Sequence, residues 1–134
     1  MDWTNYKYTA NVSVANGNIS LIGRYQDSNN FLACSFAKGW IEIDQVQDGT
    51  STVLTSKSVD GILPGVQGIT QNTVVDMTLN GDTVSCGGFG PTDNVSYTFP
   101  LNTAPMSGGI GIESWYQTPL ADKLDLIDVQ VTPL

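Results

Sequence analysis

Between Tyr6 and Val14 the chain alternates strictly. Every even position (Tyr6, Tyr8, Ala10, Val12, Val14) is apolar or small, and every odd one (Lys7, Thr9, Asn11, Ser13) is polar. A period of two sustained over this stretch predicts a strand with one face on a core and one in water. Asn16-Gly17 is suited to a tight turn, and 18–25 reads as the partner strand, apolar on both faces. Asp27-Ser28-Asn29-Asn30 forms a turn cluster before a strand over 31–36. Lys38-Gly39 then reverses the chain into Trp40-Ile41-Glu42-Ile43-Asp44, and Asp48-Gly49 signals a hairpin into a short strand at 52–55. Residues 56–73, with Gly61, Pro64, Gly65 and Gly68, read as a long surface connection. Val75, Met77 and Leu79 alternate with Asp76 and Thr78, Asn80-Gly81 turns the chain, and 83–86 returns. Strands over 95–99, 109–115 and 123–132 complete the set, and no segment carries a helical period of useful length. Many short strands with regular turn signals predict one all-β domain, an antiparallel two-sheet sandwich or barrel.

Composition agrees with strands. Only 13% of the residues are charged against 40% apolar, so Ser, Thr, Asn and Gly supply the polar surface, as suits pleats and turns. Thirteen acids against five bases give a net charge of −8. Phosphate binding needs clustered Lys and Arg, so nucleic acid is excluded as a partner class and anionic membrane surfaces are disfavoured. No apolar run approaches the roughly 18 residues that membrane insertion requires. The absence of His removes Ser-His and Cys-His relays and the commonest zinc ligand. Met1 stands directly against domain-like sequence with no signal peptide, so 1–134 is expected to be a single module excised from a larger protein. Cys34 and Cys86 are the only cysteines; as a disulfide or as two buried thiols, both readings stay open.

Three constellations carry candidate chemistry. Trp40, Glu42 and Asp44, at i, i+2 and i+4 of a strand, project from one face. An indole there can cover the apolar face of a sugar ring while the carboxylates accept hydrogen bonds from its hydroxyls. Trp115-Tyr116, at a strand-to-loop junction, offers a second stacking platform. Arg24, in an otherwise apolar strand beside Asp27, is either a clamp for an acidic sugar or diol, or the partner of a carboxylate holding a turn. The Asp-rich C-terminus (Asp122, Asp125, Asp128), with Asp2 near the other end, offers oxygen ligands for a structural Ca²⁺, without the compact loop that would make a cofactor certain. Gly87-Gly88-Phe89-Gly90-Pro91 has no Lys or helix after it, so it is a turn and not a phosphate cradle.

The order of these signals resembles the concanavalin A-like jelly rolls, the superfamily of laminin-G-like domains, legume-type lectins and many carbohydrate-binding modules. Leu21-Ile22-Gly23-Arg24-Tyr25-Gln26-Asp27-Ser28-Asn29-Asn30-Phe31 resembles a recurrent family phrase. Gly108-Gly109-Ile110-Gly111-Ile112 is similar to its late strand, and Leu126-Ile127-Asp128-Val129-Gln130-Val131 to its closing motif. That motif departs at Leu126 and at Ile127, where relatives carry Phe and Asp. The resemblance implies a β-sandwich that binds polysaccharide or other glycan, extracellular or at a cell surface, beside other domains of a parent protein. A structural or adhesive domain without a glycan is the rival reading. Glu42-Ile43-Asp44 also invites comparison with laminarinase-type hydrolases, but Gln47 stands where their second Glu would, and an amide cannot cycle a proton. The domain is therefore expected to be non-catalytic.

Overall fold

The computed structural model describes residues 4–15, 18–37, 40–58, 72–88, 94–105, 107–115 and 123–134. Ten strands run along the chain: β1 (Tyr6–Ala15), β2 (Asn18–Asp27), β3 (Asn30–Ala37), β4 (Trp40–Gln47), β5 (Thr50–Ser58), β6 (Asn72–Asn80), β7 (Thr83–Gly87), β8 (Val95–Thr98), β9 (Gly109–Trp115) and β10 (Lys123–Pro133). They form two five-stranded antiparallel sheets, ordered β10-β1-β6-β7-β8 and β5-β4-β3-β2-β9.

The alternating residues meet between the sheets. Tyr6, Tyr8 and Ala10 of β1 with Val75, Met77 and Leu79 of β6 face Ile19 and Leu21 of β2, Leu32 and Phe36 of β3, and Ile41 and Ile43 of β4; all are buried in one cluster. The two buried phenols find partners, as tyrosine hydroxyls in a core must. Tyr8 donates across the sandwich to the carbonyl of Gly111 at 3.2 Å, and the Tyr6 oxygen accepts the N–H of Arg24 at 3.0 Å. Cys34 of β3 and Cys86 of β7 are disulfide-bonded with Cα atoms 5.7 Å apart. The bond joins one sheet to the other and decides the question that composition left open.

The structure corrects the pairing expected at the start. Residues 18–25 lie in β2, but β2 pairs with β3 and β9 and not with β1, which lies in the other sheet between β10 and β6. The physical reason lies in the burial that the assembled sandwich gives β2. A strand apolar on both faces suits an interior position covered on both sides, and Ser20, Leu21 and Ile22 are all buried. The Asp48-Gly49 hairpin stands where expected, both residues with positive φ (51° and 79°), as the favoured two-residue hairpin turn requires. In the β6–β7 hairpin, Asn80 still pairs with Thr83, so the turn falls one residue later, on Gly81 (φ 56°) and Asp82. Strands β5 and β6 extend into the expected 56–73 connection, of which 59–71 lie outside the described residues.

Arg24 departs most from its expected role. It sits at φ 46° in a bulge where β2 slips register against both neighbours. The backbone of Gly108 packs directly on the Arg24 carbonyl, with no room for a Cβ. The side chain is 1% exposed. Its Nη1 donates to Pro105 O at 2.6 Å, and Nη2 to Thr4 O at 3.1 Å and Gly81 O at 2.8 Å. One guanidinium thus ties the segment before β1, the β6–β7 turn and the loop before β9. It bonds carbonyls where a carboxylate partner was expected, and it is sealed from direct contact with a ligand. Burial, above all, holds its pKa below the ordinary value, with Tyr6 and Asp82 opposing.

Two stability outcomes follow. Arg24→Lys, whose compact ammonium cannot fork to three carbonyls, should cost at least about 3 kcal/mol in urea unfolding, at ~1–3 kcal/mol per carbonyl left unpaired. The double replacement Cys34→Ala, Cys86→Ala opens a cross-link of sequence separation 52. On loop-closure entropy it should cost about 4 kcal/mol, and an unchanged urea midpoint would refute the bond's role.

Candidate functional site

On β4 the expected division of faces holds. Ile41 and Ile43 are buried in the core, while Trp40, Glu42 and Asp44 are half-buried on the opposite face. Register carries that face across the sheet. Glu42 lies opposite Ser35 of β3, Ser35 opposite Ser20 of β2, and Ser20 opposite Glu113 of β9. On one side of this row lies Trp40, opposite Ala37. On the other, Asp44 is opposite Ala33 and Val46 opposite Phe31.

These side chains line a shallow groove of about 250 Å³ that contains Glu42, Asp44, Glu113, Ser20 and Ser35, with Phe31, Ala33, Val46 and Ser51. The hydroxyls are wired in one direction. Ser35 Oγ donates to Asp44 Oδ2 at 3.0 Å, which uses its only hydrogen. The 2.9 Å bond between the Oγ atoms of Ser20 and Ser35 is therefore donated by Ser20. Hydrogens run Ser20 to Ser35 to Asp44 within the sheet, and the groove presents mainly acceptors.

Glu42 and Asp44 are hydrogen-bonded to each other. Burial, first, and then the Asp44 hydrogen bond and charge push the Glu42 carboxyl up to about 7. Glu113 stands three strand steps from Glu42, their backbones about 14 Å apart along the hydrogen-bonding direction. Gln47 is exposed at the end of β4, on the hairpin.

The other expected residues fall out differently. Trp115 ends β9 opposite Asn18, one row beyond Glu113 on the same side as Trp40; its side chain, and all of Tyr116, lie outside the described residues. Of the calcium candidates, Asp2, Asp122 and the Asp125 side chain also lie outside them, while Asp128 is exposed and accepts a hydrogen bond from Gln130. Among the described residues no three acids group as a metal site. Reasoning from sequence missed Glu113, Ser20 and Ser35. It also missed the Tyr25–Phe31 ring pair, centroids 6.1 Å apart, with Phe31 in the groove wall and Tyr25 42% exposed. The signal was available for the rings, which flank the Asp27–Asn30 turn. It was not available for the polar row, which exists only once four strands are in register.

Solved structures share this architecture. The carbohydrate binding module CBM66 from Bacillus subtilis superposes with a TM-score of 0.73 at 11% identity, over 98% of this chain and 76% of that one. This is the concanavalin A-like jelly-roll fold. Sheep galectin-11 matches with a TM-score of 0.66 at 8% identity, over 98% of this chain and 95% of its own. A GH43 protein from Bacillus licheniformis matches at 0.66 and 10% identity, but this chain spans only 28% of it. No family model matches the sequence, and no curated protein matches it. At such identities the likeness is one of jelly-roll fold and does not extend to function.

The acid pair has a consequence for stability. Unfolded, Glu42 titrates near the ordinary 4.5; folded, near 7. Between these values the folded chain holds a proton that the unfolded one has released, so the group's contribution is complete below about pH 4.5 and is lost as pH rises through 7. Glu42→Gln, which mimics the protonated form, should thus gain in Tm over the natural chain between pH 4.5 and roughly pH 8. A Tm difference that stays flat from pH 4 to 8 would refute the shift.

Proposed function

We propose that the domain is a non-catalytic carbohydrate-binding module that holds a glycan on the outer face of the β5-β4-β3-β2-β9 sheet. The observation that carries this reading is the polar row Glu113–Ser20–Ser35–Glu42, whose hydroxyl hydrogens run toward Asp44 and whose acceptors line a groove beside Trp40. A sugar presents hydroxyl donors at its rim and C–H groups on its faces, so acceptors next to an aromatic ring match both parts. The likeness to a carbohydrate binding module and to galectins supports the ligand class. The inter-sheet disulfide supports an extracellular or cell-surface setting, because such bonds persist in oxidising compartments. Gln47, exposed on the hairpin where a second catalytic Glu would be needed, supports binding over hydrolysis.

Affinity is expected to be modest, since each sugar hydroxyl exchanges water for protein at small net gain. The test is affinity electrophoresis and calorimetry against neutral polysaccharides. At least one should bind, and Trp40→Ala should weaken it by well over tenfold, about 1.4 kcal/mol or more, with unfolding unchanged. Unchanged binding would remove Trp40 from the site, and no binding to any polysaccharide would favour the adhesive reading. Release of reducing sugar that disappears in Glu42→Gln would return the hydrolase.

A further inference from the structure

Beyond the groove, and sharing Phe31 and Val46 with it, lies a second pocket of about 170 Å³. Arg24 and Gln26 from the bulged end of β2, Gln45 and Gln47 from the end of β4, and Pro105 contribute to its walls. Its chemistry is the reverse of the groove's. None of its lining residues is a carboxylate, although the chain carries −8 overall and the adjoining groove holds three.

Arg24 builds the pocket in two ways. Its Nη1 holds Pro105, so it fixes a wall. Three of the guanidinium's five N–H donors are used on carbonyls, and Nε is buried with no partner. Asp82, the carboxylate acting on it, is not part of the lining. A positive charge at 1% exposure therefore stands behind the wall, where water and salt screen it far less than at the surface. Gln26, Gln45 and Gln47 are in the lining, and each carries an amide with two N–H donors, around a volume that exceeds the roughly 150 Å³ known to admit a benzene ring.

We infer that this pocket is a second subsite taking a single sugar ring that bears a carboxylate, a uronate, next to the groove. The glutamine amides donate to the carboxylate within the field of Arg24, and the ring lies against Phe31 and Pro105. A neutral hexose of equal size offers no charge to that field. A continuous polyuronate is not the ligand, because its next carboxylate would meet Glu42, Asp44 and Glu113. The inference rests on the groove reading for the sugar class, and on the pocket itself for charge and size.

The test is isotope-edited NMR of the whole chain, following the side-chain amides of Gln26, Gln45 and Gln47 while D-glucuronate or D-glucose is added. These rings differ in the carboxylate. Saturable shifts of these amides with glucuronate are expected, at least tenfold weaker with glucose and, read at the remaining Gln26 amide, at least tenfold weaker in Gln45→Leu, Gln47→Leu. An equal response to glucose, no saturable shift, or an undiminished response in the variant would overturn the inference. Neutral-polysaccharide binding by the same variant, followed through Trp40, separates the two readings. Retained groove binding with no uronate response rejects the subsite alone, and uronate binding without groove binding rejects the groove.

Discussion

A single buried cation organises one end of the molecule. Arg24 interrupts β2 with a residue in the left-handed region, and the interruption turns its side chain from the alternating pattern into the interior. There it gathers carbonyls from three segments that sequence keeps far apart. Each of those carbonyls would be costly to bury alone. The charge in turn tolerates burial because oxygen dipoles surround it. Gly108 is part of the same device, because only a residue without Cβ lets the chain pass over the Arg24 backbone.

The architecture was legible because strands announce themselves locally. The nine-residue alternation at Tyr6, the Asp48-Gly49 pair and the 75–79 alternation each reappear as β1, the β4–β5 hairpin and β6. What a local signal cannot carry is which sheet receives a strand. Asn16-Gly17 reads as a hairpin, yet the strands on its two sides belong to different sheets; the deciding quantity is burial of both faces of β2, a property of the assembled sandwich. Arg24 stayed open between a ligand clamp and a residue holding a turn for a related reason. A cation in an apolar strand signals function or structure alike until its carbonyl partners are in place.

The candidate site divides the same way. Trp40, Glu42 and Asp44 were found from spacing within one strand, and they do share one face. Ser20, Ser35 and Glu113 come from three further strands, and small hydroxyls carry no mark of their own. Their meaning lies in register, which lines them up beside the acid pair and fixes the direction of their hydrogens. Two neighbouring cavities of opposite character then share Phe31 and Val46 as a common border.

The pairing of β1 with β10 sets how such a domain can be mounted. Tyr6 lies opposite Pro133, and the N–H of Leu134 bonds to the carbonyl of Asn5, so the two described chain ends leave from one corner. Both belong to the sheet that does not carry the groove. A neighbour fused at either end would therefore attach at that corner, on the sheet opposite the one that carries Trp40.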